Sequence, residues 1–145
     1  MIYHHVFRVP AALEKVTEFH RQSSNMAAIT PPPMVVRMHQ APQVLAQDDT
    51  IHFTMWLGPL PVPWLIKIVS STPCGFHDRQ LRGPFAQWDH FHTFKPVDTS
   101  TTEVWDEISV RLRPHLLWGP VGLAMFLGLP ILFAYRAWKT RRLLR

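Results

Sequence analysis

The segment DRQLRGPFAQWDHFHTF places two histidines, His90 and His92, two residues apart in a run rich in aromatic side chains. Further on, TEVWDEISVRLR carries Asp106 between apolar neighbours. In an extended chain, residues two apart share one face, so both imidazoles project to the same side. A turn centred on Thr99 sets His92 opposite Asp106, and a histidine held by a carboxylate can move a proton near neutral pH. Three uses of these groups follow. They are satisfied core histidines, they orient the polar group of a bound molecule, or His92 is a general base with Asp106 as its orienter. No nucleophile motif or cofactor loop accompanies them, and no cofactor is expected. Two ring nitrogens on one strand face resemble part of a zinc ligand set. The sequence identifies no third ligand, and His4 and His5 alternate across their strand, so no metal is expected either.

These residues need elements to hold them. IYHHVFRVP is an extended run closed by proline, and AALEKVTEFHRQ sets Leu13, Val16, Phe19 and His20 at helical spacing. SSNMAAIT supplies one more turn, capped by Ser23 or Ser24 and stopped by the prolines of TPPP. The period then becomes two. MVVRMHQ, TIHFTMWL, VPWLIKIVSS, FHDRQLRG, FAQWDHFHTF and TEVWDEISVRLR are six strands, rich in β-branched and aromatic residues. QDD, GPLP, TPCG, GP and VDTST separate them, and connections this short join neighbours antiparallel. From about Pro120 the pattern is helical again, with Gly119 before a helix-starting proline.

The expected fold class is therefore α+β: a curved antiparallel sheet around a long C-terminal helix, with two short helices after the first strand, in one domain spanning residues 1–145. Alternation points Trp64, Ile66 and Ile68 inward, with Val104, Asp106, Ile108 and Val110 on the same side. Trp88, His90, His92 and Phe94 make the third inward set. Counting around Gly83–Pro84 brings Gln80 to Trp88 and Asp78 to His90, and counting around GPLP brings Trp56 to Trp64. The expected cavity has walls of Trp56, Trp64, Trp88, Phe94, Phe126 and Phe133. Its polar groups are Gln80, His90, His92 and Asp106, with Asp78 close by. An apolar enclosure with a few placed hydrogen-bonding groups is the composition of a small-molecule pocket.

The runs LGPLPVPW, DRQLRGPFAQWDHFHTF and FAYRAWKTRRLL, with TEFH and ITPPP near the start, resemble the SRPBCC or START-like superfamily, and within it the small bacterial ligand-binding or polyketide cyclase/dehydrase-type members. The resemblance covers nearly the whole chain. It implies a helix-grip fold, seven antiparallel strands curled around a C-terminal helix, whose cavity binds lipids, sterols, quinones, polyketides or similar hydrophobic molecules. Gly58, Trp64, Gln80, Gly83, Pro84, Phe85, Trp88, His90, His92 and Phe94 fit the family pattern. The chain departs from it in QDD, which lacks an expected glycine, and in the final helix, which is more apolar than in relatives. The function expected is binding of a hydrophobic small molecule. The alternatives are a cyclase or dehydratase using the His92–Asp106 pair, and a membrane-attached accessory protein.

Charge and cysteine narrow the partners. The net charge is +5, and Arg136, Lys139, Arg141, Arg142 and Arg145 cluster in the last ten residues with no acid among them. Such a tail suits a solvated helix end, and no nucleic-acid module accompanies it, so nucleic acid is not an expected partner. The single cysteine, Cys74, excludes an internal disulfide and reads as an inert buried thiol. MIYHHVFRVP has no basic region followed by an apolar run, so the expected location is cytoplasmic. Residues 116–135 carry no charge and would span about 30 Å as a helix, but glycines and prolines interrupt them. They are expected to form the gripped helix, with their surplus apolar surface left for a homodimer partner or peripheral membrane contact.

Overall fold

The computed structural model describes residues 1–145. The elements run β1 (Ile2–Val9), α1 (Leu13–Arg21), α2 (Asn25–Ala28), β2 (Val35–Gln40), β3 (Thr50–Leu57), β4 (Leu60–Thr72), β5 (Gly75–Arg82), β6 (Phe85–Asp98), β7 (Thr101–Leu112), α3 (Trp118–Leu127) and α4 (Leu129–Leu143). All seven strands join one antiparallel sheet in the order β1-β7-β6-β5-β4-β3-β2. β2 to β7 are a meander, and β1 adds to the far side of β7. The six alternating segments all become strands, and the two short helices fall between the first two strands as expected.

Alternation decides the faces. Val62, Trp64, Ile66 and Ile68 of β4, Trp88, His90 and Phe94 of β6, and Val104, Asp106, Ile108 and Val110 of β7 are buried on the concave side. Leu129, Phe133, Ala137 and Thr140 form the buried stripe of α4 at spacings of three and four, and α4 packs on β1. The main core joins β3, β4, β6 and β7 to Leu129 and Phe133. A second cluster of Phe7, Val9, Ala11, Val16, Phe94, Val104 and Ala137 fills the end beneath α1.

The long C-terminal helix is broken. α3 and α4 meet at an angle of 49°. Pro130 lies in the first turn of α4, where it has no N–H to donate to the carbonyl of Phe126, and its ring would collide with that carbonyl in a continuous helix. The break lets α3 lean over β6 and β7 while α4 lies along β1. No single helix is long and apolar enough to cross a membrane. The surplus apolar surface is real: Leu116, Leu127 and Ile131 are 98%, 67% and 75% exposed.

Other expectations change in detail. Cys74 is exposed in the β4–β5 turn, because Thr72 pairs with Gly75 and leaves only Pro73 and Cys74 at the tip. In the QDD loop Asp48 takes the positive φ of 71° that a glycine would otherwise provide, a conformation aspartate tolerates better than most residues. The β3–β4 turn is the tight pair Gly58–Pro59, so Trp56 pairs with Pro61 and Phe53 meets Trp64. That register differs from the expected one by an odd number of residues, which turns Trp56 to the outer face.

Candidate functional site

The concave side of the sheet, α2, α3 and α4 enclose a cavity of about 430 Å³. Ile51, Phe53, Met55, Trp64, Ile66 and Ile68 line it from β3 and β4, while Val121, Met125, Leu129 and Phe133 close it from the helices. Trp64 stacks on Phe53 at 5.9 Å and meets Trp88 edge-on at 5.3 Å. The polar groups gather at one end, where Asp78, His90 and His92 from β5 and β6 meet His20 of α1 and Arg136 of α4.

Strand pairing builds this cluster. Asp78 faces His90 across β5–β6, and His92 faces Asp106 across β6–β7. One oxygen of Asp106, Oδ1, lies 2.9 Å from His90 Nε2 and 2.8 Å from His92 Nδ1. The first is a directed hydrogen bond donated by His90. The second is a close ion-pair contact off the line of the ring N–H. The opposite nitrogens, His90 Nδ1 and His92 Nε2, lie 3.7 Å and 3.5 Å from Asp78 Oδ2. The two imidazoles, with ring centroids 3.5 Å apart, are thus held between two carboxylates. Asp78, His90 and His92 each offer one ligand atom within 4.8 Å of the others, so strand β5 supplies the third potential metal ligand that spacing alone does not reveal.

Burial and charge sort the protonation states. Burial alone would raise the Asp106 carboxyl, but the His92 charge and the contacts from both histidines outweigh it and hold the group well below the usual carboxylate range. Asp78 is likewise held low: burial opposes ionisation, and bonding to His92 with the charges of both histidines overcomes it. For His92, burial favours the neutral ring, yet Asp106 and Asp78 win and the pKa is raised. His90 goes the other way, because burial and the neighbouring His92 charge outweigh the carboxylates. His20, whose Nδ1 bonds the Val16 carbonyl at 2.8 Å, is pushed down to about 4 by burial and then by His92. Arg136 is lowered by burial, against the opposing pull of Asp106 and Asp78. The two carboxylates thus favour the charged form of His92 and face the Arg136 guanidinium in the same cluster.

Of the expected site residues, Trp64, Trp88, His90, His92 and Phe133 line the cavity. Trp56 does not: it is 36% exposed on the outer face, for the register reason above. Phe94 is buried in the second cluster, against His20 at 4.9 Å. Phe126 packs on the core but not on the cavity, since it lies about 100° around α3 from Met125. The Gln80 amide clamps the β5–β6 turn instead, donating to the Phe85 carbonyl at 2.7 Å and accepting from the Phe85 N–H at 3.2 Å. Asp106 sits behind the histidines, outside the cavity wall. His20 and Arg136 are the members sequence reasoning missed. The helical spacing of His20 with Phe19 was the available signal for the first, whereas Arg136 was hidden among the basic residues of the tail.

No protein-family model and no curated protein matches the chain. Solved structures do. It is similar to a Zhui aromatase/cyclase from Streptomyces sp. R1128, with a TM-score of 0.71 and 16% identity over 99% of this chain and 95% of that one. A START superfamily protein from Mycobacterium smegmatis follows at TM-score 0.70 and 9% identity, covering 98% of both chains. The chain has a START-like helix-grip fold. A norcoclaurine synthase from Thalictrum flavum, solved with dopamine and hydroxybenzaldehyde, shares the START-like architecture at TM-score 0.70 and 10% identity, over 99% of this chain and 85% of that one. Identities this low carry the fold and leave the chemistry to the residues described above.

Proposed function

We propose that this START-like protein binds a hydrophobic small molecule, of the lipid, quinone or polyketide-like class, between the sheet and the C-terminal helices. The observation that carries the proposal is the polarity of the cavity: an aliphatic and aromatic enclosure of about 430 Å³ ends in a charged, buried cluster. Its volume lies in the range of small-molecule sites. His92, whose protonated form the two carboxylates favour, and Arg136 offer N–H donors at that end, so the complementary ligand end is a carbonyl, carboxylate or phenolic oxygen. The aromatic ligands named for the norcoclaurine synthase structure, which has the same fold, agree with a ring-bearing cargo. Native mass spectrometry of gently purified protein tests this. A co-purified apolar molecule, displaced by a naphthyl fluorescent probe, is the expected result, and protein that stays empty and binds no probe refutes it.

A second reading, cyclase or dehydratase chemistry, draws on the 2.8 Å approach of Asp106 to His92. In it Asp106 orients the ring and His92 exchanges a proton with the substrate, as base or, in the charged form that the carboxylates favour, as acid toward a departing hydroxyl. Replacing His92 by Gln should then abolish turnover of a polyketide-like substrate while sparing its binding, and an unchanged rate removes this reading.

A further inference from the structure

We infer that Asp78, His90 and His92 form a zinc-binding site at the polar end of the cavity, with Asp106 as its outer carboxylate. Four-coordinate zinc with bonds of about 2.0–2.1 Å separates its ligand atoms by roughly 3.4 Å, whereas cis ligands of a six-coordinate ion lie nearer 3.0 Å. The two measured edges of the ligand triangle, 3.5 Å and 3.7 Å from Asp78 Oδ2 to His92 Nε2 and His90 Nδ1, match the tetrahedral spacing. One ligand atom of each of the three residues lies within 4.8 Å of the other two. The tautomers suit it too. Asp106 takes the directed hydrogen bond from His90 Nε2, which leaves the His90 Nδ1 lone pair toward Asp78, and a neutral His92 that keeps its proton on Nδ1, 2.8 Å from the same oxygen, turns its Nε2 lone pair there too. A carboxylate that orients the far nitrogens of ligating histidines is the usual outer partner of zinc.

Three protein ligands leave a fourth position, and all three residues line the cavity. With zinc bound and both histidines neutral, the ion and Arg136 carry three positive charges against the two carboxylates. The remaining charge favours an anionic oxygen, from hydroxide or from a ligand carboxylate or phenolate, in the fourth place. Metal binding itself rests on the side-chain triangle and not on the apolar cargo, so either can fail alone.

The test titrates untagged full-length protein, freed of metal by chelation, with Co²⁺ alone and then Zn²⁺. The expected result is one equivalent of Co²⁺ with the intense visible bands of four-coordinate cobalt, bleached by Zn²⁺. His92→Gln and Asp78→Asn should remove the bands, and Asp106→Asn should weaken affinity about 10–100-fold. The exposed pair His39 and His52, with rings 4.9 Å apart, is the competing surface site, and the double variant His39→Gln/His52→Gln should leave the bands intact. Should a core variant fail to fold, ring-nitrogen NMR of the wild type decides: Zn²⁺ should shift His90 Nδ1 and His92 Nε2 and no other histidine. Absent binding, pale six-coordinate spectra, bands that survive in a folded His92→Gln protein, or shifts confined to His39 and His52 would each overturn the site.

Discussion

Gly75 begins β5 beside the polar cluster, and its replacement offers a sharp test of the β5–β6 pairing that places His92. Its φ of +143° lies in a region essentially reserved for glycine, and an added Cβ would overlap the His92 carbonyl oxygen deeply while lying 3.0 Å from the His92 carbonyl carbon and the Thr93 Cα. These are backbone atoms of a paired strand and cannot swing aside. Gly75→Ala must therefore strain the backbone, at about 1–3 kcal/mol, and part the start of the ladder, where the Phe94 N–H donates to the Cys74 carbonyl at 2.8 Å. One or two lost hydrogen bonds add about 0.5–1.5 kcal/mol each. The sum, roughly 2–6 kcal/mol, is a large part of a typical stability and corresponds to a fall in Tm of about 5–20 °C for a chain of this size. Gly58→Ala is the control: its φ is +59° but nothing lies within 4 Å of the new Cβ, so it should cost only about 1–2 kcal/mol. Urea unfolding of both variants measures the difference. If Gly75→Ala is no worse than Gly58→Ala, the collision with the His92 backbone is not what makes that glycine necessary.

Phe133 is 1% exposed and its ring meets Tyr3, His5 and His90. Phe133→Ala should cost about 3–5 kcal/mol in urea unfolding and, by enlarging the cavity, tighten binding of a bulkier naphthyl probe. On the outer face, Asp89 accepts from His77 Nε2 at 2.7 Å, Arg79 Nε at 2.8 Å and Gln87 Nε2 at 3.0 Å. Burial opposes its ionisation but these bonds prevail, so its folded pKa lies below its unfolded one. Its stabilisation is therefore complete above an unfolded pKa of about 3.9 and is lost as pH falls through the lower folded value. Asp89→Asn should flatten that acid limb in pH-dependent thermal melts; an unaltered limb would count against it. Leu127→Gln and Ile131→Gln, at positions 67% and 75% exposed, should change unfolding free energy by no more than about 0.5 kcal/mol.

The fold was legible because its physics is local. Six strands announce themselves by alternation, and their short turns leave only antiparallel neighbours. Half of the site was legible for the same reason: the turn about Thr99 sets His92 against Asp106, and the turn at Gly83–Pro84 sets Asp78 against His90. The sequence misleads where the length of a turn or the rotation of a helix decides which way a side chain points. A tight Gly58–Pro59 turn flips Trp56, and one residue of helical rotation takes Phe126 off the cavity that Met125 lines. Gln80 was expected to orient ligand because it lies on the right strand, yet a nearby carbonyl and N–H at the turn claimed its amide first.

Arg136 was hidden for a different reason, and charge balance would have exposed it. Asp78 and Asp106 are both inward on adjoining parts of the sheet, and two buried carboxylates demand compensating charge. Two histidines in contact compete for that role: burial and then the neighbouring His92 charge lower His90, whereas the carboxylates raise His92. A second cation must then come from whatever closes the cavity. The closing element carries no charge from residue 116 to 135, and the next residue is Arg136. On α4 it lies three residues after Phe133 and one before Ala137, both buried, so the helix that closes the cavity also brings the guanidinium into its lining, where Asp106 and Asp78 favour its charge. The long uncharged run and the half-buried arginine at its end are thus two parts of one arrangement. The run closes an apolar cavity, and the arginine adds a positive charge to the lining at its polar end.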